Sequence, residues 1–411
     1  MTTFIALLGL LAQLATGPEA PAAEPAALEA MARGILAGVE QMRGQKLSKP
    51  LKMGVKNREQ VTAFIRERLD DEYGPEKVAA EGRLFGLQGL LPPKLDYARF
   101  VTALLTEQVA GFYDHTRQEL HIADWLPALM QGPVMAHEIF HAIQDQEWDG
   151  GKLIDSKKYT HDSVLAHAAL LEGDATVVMF NYQQREVDPE ADMSLSPFMV
   201  NLIATSLPMQ MSSAQFPVMA SAPDYLKQSL IFPYQQGLLF VAALRQAGQS
   251  WDQIRAVYAD PPHTTEQILH PERYLKRDEP SEVTLPAAVL PGFKRTWDGT
   301  TGEFHARQLL LMALPIAEAV EGAAGWDGDF TVLEVSGDKA VAVTLSTWDT
   351  EADATAFEAA LNKVHGKRAA PKPTLVTTRR GADLAYAFSD DADLAKQAVA
   401  RVLADGHVVR K

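Results

Sequence analysis

The sequence predicts an α+β protein in which a mainly helical domain precedes a smaller C-terminal α+β domain. Apolar residues recur at helical spacing through much of residues 28–247, which predicts amphipathic helices that pack together. Residues 111–123 instead place aromatic and branched residues on both sides of a polar turn, as a β-hairpin does. After residues 282–291, which are rich in proline and short apolar residues, helical and strand patterns alternate. We therefore expect two folded domains.

The chain divides into three predicted parts. Residues 1–27 form a signal-like segment and linker, residues 28–285 the helical domain, and residues 286–411 an accessory α+β domain. The 411 residues, 47% of them hydrophobic, are enough to build more than one packed core.

Charge and cysteine content exclude several kinds of function. The net charge of -15 repels polyanions, so we expect no nucleic-acid partner. The absence of cysteine excludes disulfides, thiolate metal sites and a cysteine nucleophile. Any protein-bound metal must therefore be held by His, Asp or Glu.

The N-terminus resembles a secretory signal. Residues 4–16 are apolar apart from Gln13, and residues rich in alanine and proline follow them. This run is shorter than the roughly 20 apolar residues of a spanning helix. We therefore predict an exported, periplasmic or secreted protein without a stable transmembrane span; a buried or interfacial N-terminal helix is the alternative. The segment Met1 to Thr3 lacks the usual basic residue.

Several elements are predicted before the central helix. Residues 84–93, which end in Pro92 and Pro93, predict a turn, and residues 111–123 the hairpin. Helices are predicted over residues 28–42, 57–73 and 97–109.

Two long helices follow the hairpin. The first begins near Gly132 and Pro133, because proline suits a first helical turn, and continues to Glu147. The second runs from Thr160, a predicted N-cap, to Arg185. Residues 188–220 have weak periodicity and receive no assignment, whereas residues 234–247 predict another helix.

The C-terminal domain predicts a helix over residues 305–320 and then alternating elements. Two strands are expected over residues 330–335 and 340–345, followed by a helix over residues 351–364. Two further strands follow over residues 374–378 and 384–388, and a closing helix over residues 391–404.

The motif His137-Glu138-Ile139-Phe140-His141 carries the predicted chemistry. Two histidines four residues apart lie on one helix face, where both rings can reach one ion, and zinc is the expected ion. Glu138 can take a proton from a metal-activated water without binding the metal itself. We therefore predict that His137 and His141 bind zinc and that Glu138 is the catalytic base.

Glu172 is the predicted third ligand. It lies among small and apolar residues within the second long helix, where a carboxylate is costly to bury unless a cation pairs with it. Asp174, His167 and Asp162 are the rival ligands, and Asp174 is also a candidate for orienting a ligand imidazole. Tyr234, Tyr182 and His270 remain open as donors to a developing oxyanion.

These motifs resemble the gluzincin zinc metallopeptidases, and most closely the bacterial peptidase-MA-like proteins. The resemblance covers roughly residues 55–280 and rests on the hairpin residues 111–114, on HEIFHAIQDQ from His137, and on Glu172-Gly173-Asp174-Ala175. It implies a zincin-like catalytic domain with His137, His141 and Glu172 as metal ligands. Residues 264–271 also look similar to such proteins.

The sequence thus predicts a zinc-dependent peptidase that acts on a peptide or protein substrate. Two alternatives stay open: a non-catalytic metalloprotease-like binding or envelope module, and a zinc hydrolase that acts on a non-peptide amide or ester. The sequence does not indicate an oligomeric state.

Overall fold

The computed structural model of the protein describes residues 25–126, 128–185, 187–211 and 216–411. Most of the predicted signal-like segment over residues 1–27 lies outside these residues. The protein is α+β, as predicted: a mainly helical part with a small sheet precedes a domain built on a five-stranded antiparallel sheet.

The first helices pack around one another and around the short sheet. Asn57 caps the second helix in a capping box with Gln60, and Asp96 caps the fourth by accepting from the Arg99 amide. The third helix extends through much of the predicted turn at residues 84–93, and Gly89 ends it in the left-handed conformation that glycine favours. The elements are α1 (Pro25–Arg43), β1 (Lys52–Lys56), α2 (Arg58–Glu72), α3 (Gly74–Gln88) and α4 (Tyr97–Gln108).

The predicted hairpin is confirmed as β2 (Gly111–Asp114) and β3 (Glu119–Ala123). Asp114 orders its turn by accepting from the backbone amides of Thr116 and Arg117. β1, which the sequence analysis did not predict, pairs with β3 in parallel, so the sheet order is β1-β3-β2.

The two long helices form the centre of the helical part. The helix α5 (Ala128–Trp148) begins before the predicted start, so Pro133 lies inside it. After the short α6 (Gly150–Leu153), Thr160 caps α7 (His161–Gln184) by accepting from the Ser163 amide, as predicted. By length and composition α7 could cross a membrane, but 89% of its most apolar stretch is buried inside the fold.

Much of the unassigned segment over residues 188–220 is helical. Pro208 lies within α8, where a proline argues against a helix in the sequence, and the predicted helix over residues 234–247 corresponds to the second half of α10, which begins before Pro233. The remaining helices are α8 (Pro197–Met211), α9 (Pro217–Ser221), α10 (Asp224–Gln246), α11 (Trp251–Val257), α12 (Thr265–Leu269) and α13 (Pro271–Lys276).

The C-terminal elements surround a sheet in the order β5-β6-β7-β9-β8, and β4 pairs separately with the last strand, β10. The predicted single helix over residues 305–320 is wrong, because the chain breaks at Pro315 and forms two helices. The elements are β4 (Glu282–Thr284), β5 (Lys294–Gly299), α14 (Gly302–Leu311), α15 (Ile316–Ala323), β6 (Trp326–Ser336), β7 (Lys339–Trp348), α16 (Glu351–Lys367), β8 (Thr374–Arg380), β9 (Asp383–Ser389), α17 (Ala392–Asp405) and β10 (His407–Val409).

Helices cover both faces of this sheet. Tyr386 packs in one cluster with Phe357 of α16, whereas its neighbour Ala387 packs in another with Val399 of α17. The alternation follows from strand geometry, because successive side chains point to opposite faces.

The helical part and the C-terminal domain share a hydrophobic core. One cluster extends from Phe85 in α3 to Phe304 in α14 and Trp348 in β7. At the same junction the Asp162 carboxylate accepts hydrogen bonds from the amide and hydroxyl of Thr265. That hydroxyl also accepts a bond from the Phe304 amide. Residues 264–271, singled out in the sequence, therefore help to join the two parts of the chain.

Candidate metal centre

Three side chains from two helices converge on one point. His137 and His141 lie on α5, and Glu172 lies on α7. The His137 Nε2 atom is 3.0 Å from the Glu172 Oε2 atom and 3.0 Å from the His141 Nε2 atom. The third distance, between His141 Nε2 and Glu172 Oε2, is 3.4 Å. Tetrahedral zinc ligands bound at 2.0–2.1 Å lie about 3.3 Å apart, so this arrangement could hold one ion.

The electrostatics of the three side chains also suit a cation. Burial raises the pKa of Glu172, but the adjacent His141 and His137 outweigh it and hold that pKa below its usual value. Burial lowers the pKa of His141, but the Glu172 carboxylate outweighs burial and raises that pKa to about 9. The carboxylate thus attracts positive charge to a site whose ligands are at most 5% exposed. A metal ion would satisfy that carboxylate and the two facing Nε2 atoms together.

Glu138 lies beside these ligands on α5 and is completely buried. No side chain of the described residues forms a hydrogen bond with its carboxylate oxygens, although the Tyr113 backbone interacts with them and acts to lower the pKa of Glu138. Burial raises the pKa of Glu138 to about 8, against the opposing effect of His141. A buried carboxyl group with no side-chain partner can take up and release a proton.

Gln144 orients His141. Its side-chain oxygen lies 2.6 Å from His141 Nδ1, while its Nε2 donates to the Leu171 carbonyl at 3.0 Å and to the Tyr258 hydroxyl at 2.7 Å. Because an amide oxygen accepts only, Nδ1 of His141 carries the proton and Nε2 is left for the metal.

A buried ion pair is connected to Gln144 through the Tyr258 hydroxyl. The Tyr258 hydroxyl donates to Asp174 Oδ2 at 2.9 Å, and the Arg43 guanidinium binds both oxygens of Asp174. Arg43 also lies between the rings of Phe140 and Trp251. Asp174 therefore binds Tyr258 and Arg43 rather than a histidine. The residue that orients an imidazole is Gln144, not Asp174.

A close helix crossing places Glu172. Gly173 of α7 faces Gly237 of α10, and a Cβ atom on either glycine would overlap the backbone of the other helix. The small residues beside Glu172 thus allow α10 to approach α7 closely. The same crossing brings Tyr234 of α10 to His137, with ring centroids 6.2 Å apart, and to the Glu172 carboxylate.

The rival ligands have other partners. Asp162 binds Thr265, and His167 Nδ1 lies 2.6 Å from the Leu153 carbonyl oxygen. Among the described residues, the group able to hold a metal consists of His137, His141 and Glu172.

The three candidate oxyanion donors lie in different parts of the fold. Tyr234 lies against His137, whereas Tyr182 packs beside Gly38 and Gly132. His270 contacts Glu303, 3.1 Å away at the domain junction.

Sequence reasoning missed Gln144, Tyr258 and Arg43. Gln144 had a detectable signal, because it follows His141 by three residues and shares its helix face. Arg43 and Tyr258 are distant in sequence from the ligands, so no local spacing connects them to the site.

Comparison with known proteins adds one finding, outside the metal centre. No curated protein and no solved structure matches this chain. Residues 292–409, which form most of the C-terminal domain, match the family described as a domain of unknown function (DUF8575).

Proposed function

We propose that this protein is a zinc-dependent peptidase in which His137, His141 and Glu172 hold the metal. The observation that carries the proposal is the convergence of two Nε2 atoms and one carboxylate oxygen, all within 3.4 Å of one another. Two histidines and a glutamate form one of the ligand sets of catalytic zinc, which keeps a fourth position open.

Bound zinc would lower the pKa of a coordinated water towards about 7 and would polarise the carbonyl of the substrate. Glu138 would accept the proton from that water and deliver it to the amine that leaves. The position of Glu138 favours this role, because no side chain of the described residues forms a hydrogen bond with its carboxylate oxygens. Gln144 would hold His141 in the tautomer that binds the metal.

Export is a second part of the proposal. The apolar run at residues 4–16, followed by residues rich in alanine and proline, supports it. The exported chain should begin between residues 17 and 30; a mature chain that keeps Met1 would contradict export.

A non-catalytic metal-binding protein is the competing function, and burial favours it. Glu138 is 0% exposed and His141 is 5% exposed. Three cavities of the described chain, of about 1590, 410 and 590 Å³, are lined by other residues. A peptidase of this structure must therefore open to admit a polypeptide.

The test measures bound zinc and cleavage together. Purified full-length protein is loaded with zinc and incubated with a mixture of unfolded proteins, and new termini are read by mass spectrometry. The Glu138→Gln variant should keep its zinc and lose cleavage by about 100-fold or more. Glu190→Gln, which alters an exposed carboxylate, is the matched control and should cleave as the wild type does. Zinc binding by the wild type without cleavage would instead support the non-catalytic function.

A further inference from the structure

A large groove lies between the helical part and the C-terminal domain, away from the metal centre. Its walls come from α2, α3, the segment that leads into α4, and residues 368–373, and its volume is about 1590 Å³. This exceeds the roughly 300–1,000 Å³ of pockets that hold small molecules. The groove thus has room for a longer ligand.

Apolar residues make up much of the groove's lining, and we call this apolar part its floor. Leucines and prolines from both parts of the chain line it, which suits contact with apolar side chains rather than with a fully solvated ion. Examples are Leu87, Leu90, Leu95, Pro92, Pro371 and Pro373.

The charged residues of the groove are mostly basic, although the whole chain carries a net charge of -15. Three acidic residues, Asp70, Asp96 and Asp390, also line it. Asp96 is engaged as the N-cap of α4. The six basic residues are Arg66, Arg83, Lys94, Arg99, Arg368 and Lys372.

Three of these cations have no partner among the described residues. The side chains of Arg66, Lys94 and Arg99 are exposed, and none forms a hydrogen bond or ion pair with another described residue. By contrast Arg68, on the same helix as Arg66, is buried and paired with Asp114. Three unpaired positive charges are therefore available to a ligand in the groove.

Arg368 adds a partly buried cation. It donates to the Gln88 carbonyl, and burial lowers the pKa of its guanidinium. A bound carboxylate would offset this loss of solvation. Because Arg368 belongs to the C-terminal domain and Arg66 and Arg99 to the helical part, one ligand would contact both.

We propose that this groove binds an extended stretch of polypeptide with alternating acidic and apolar side chains. The cations would bind its carboxylates and the floor its apolar side chains, and the volume fits a peptide rather than a small molecule. The proposal does not depend on zinc or on catalysis, because the groove and the metal centre share no residue.

The experiment measures binding of a fluorescein-labelled peptide of alternating Asp and Leu to the full-length protein by fluorescence anisotropy. The triple variant Arg66→Gln, Lys94→Gln, Arg99→Gln should bind at least about tenfold more weakly, because each exposed ion pair contributes modestly and three are lost. The matched control Lys276→Gln, Lys294→Gln, Arg380→Gln removes the same charge from exposed positions outside the groove and should bind as the wild type does. Mass spectrometry after each titration shows that the peptide is intact.

Two results would overturn the proposal. Equal weakening by both triple variants would show that net charge, not the groove, determines binding. Binding of dodecanoate with no binding of the peptide would show that the occupant is a small amphiphile rather than a polypeptide.

Discussion

Gly173 and Gly237 face each other where α7 crosses α10, and the two backbones approach so closely that neither position has space for a Cβ atom. The residue before Gly173 is Glu172, and Tyr234 lies one turn before Gly237. The contact between two glycines therefore determines how Glu172 and Tyr234 approach His137.

Alanine at either glycine should destabilise the protein and disturb the metal centre. The added methyl group meets backbone atoms, which cannot move aside as a flexible side chain can. We expect Gly173→Ala or Gly237→Ala to lower the free energy of unfolding by about 2 kcal/mol or more. Gly86→Ala in α3 is the control, since its Cβ meets nothing within 4 Å. Urea unfolding measures all three, and equal stability of Gly173→Ala and Gly86→Ala would be inconsistent with the crossing.

Replacing Gln144 by leucine should weaken zinc binding while the fold persists. The variant loses the acceptor at His141 Nδ1, and loss of such a supporting bond lowers metal affinity by about 10–100-fold. Competition with a chromophoric chelator measures the affinity. Gln146→Leu on the same helix is the control, because Gln146 bonds to Ser48 and Lys49 instead. An unchanged zinc affinity in Gln144→Leu would show that Gln144 does not stabilise metal binding by His141.

The identity of the third ligand can be tested by metal content. Glu172→Gln should reduce bound zinc from about one per chain to a small fraction, because a neutral amide is a poor substitute for a carboxylate ligand. Asp162→Asn should keep its zinc, since Asp162 binds Thr265 at the domain junction. Plasma emission spectrometry of the dialysed proteins gives the zinc content. Loss of zinc in Asp162→Asn, together with retention of zinc in Glu172→Gln, would identify Asp162 rather than Glu172 as the third ligand.

His305 should make the protein less stable in acid. It is 1% exposed and lies 3.1 Å from the Gln88 side chain, and burial lowers its pKa to about 3 from a usual 6.5. Between pH 3 and pH 6.5 the unfolded chain therefore binds more protons at His305 than the folded chain does. The stability that depends on a neutral His305 is fully present above pH 6.5 and is lost as the pH falls towards 3.

From pH 6.5 to pH 5 the loss due to His305 should be about 2 kcal/mol. Urea unfolding at pH 7 and pH 5 should show a smaller pH effect in His305→Gln than in the wild type. Chelator is present throughout, so that the metal ligands contribute equally to both proteins. Parallel pH dependence of the two proteins would contradict a neutral, buried His305.

Local sequence patterns predicted much of the fold. The predicted helix from Pro133 to Glu147 corresponds to most of α5, Thr160 predicted the start of α7, and the polar turn after residue 113 predicted the hairpin. These features depend on residues close together in the chain, so their signals survive in the sequence alone.

Features that depend on distant contacts were not predictable in this way. β1 is a short strand whose partner lies far along the chain in β3. Gly173 packs against Gly237, 64 positions later in α10, and no local pattern identifies that partner. Arg43 forms a buried ion pair with a residue 131 positions later, which no local pattern encodes.

Arg43 ends the first described helix, so synthesis produces it well before the helices that carry the ligands. Its guanidinium is buried against the Asp174 carboxylate, so this ion pair is complete only when both residues are in place. Chains shortened to a point before Pro25 retain this helix. Chains shortened beyond residue 43 would bury the Asp174 carboxylate without its arginine, and the bonds that reach His141 through Tyr258 and Gln144 would loosen. The integrity of the N-terminal helix is thus coupled to the order of the candidate metal centre, so proteolytic trimming of that helix would disturb the site without removing His137, His141 or Glu172.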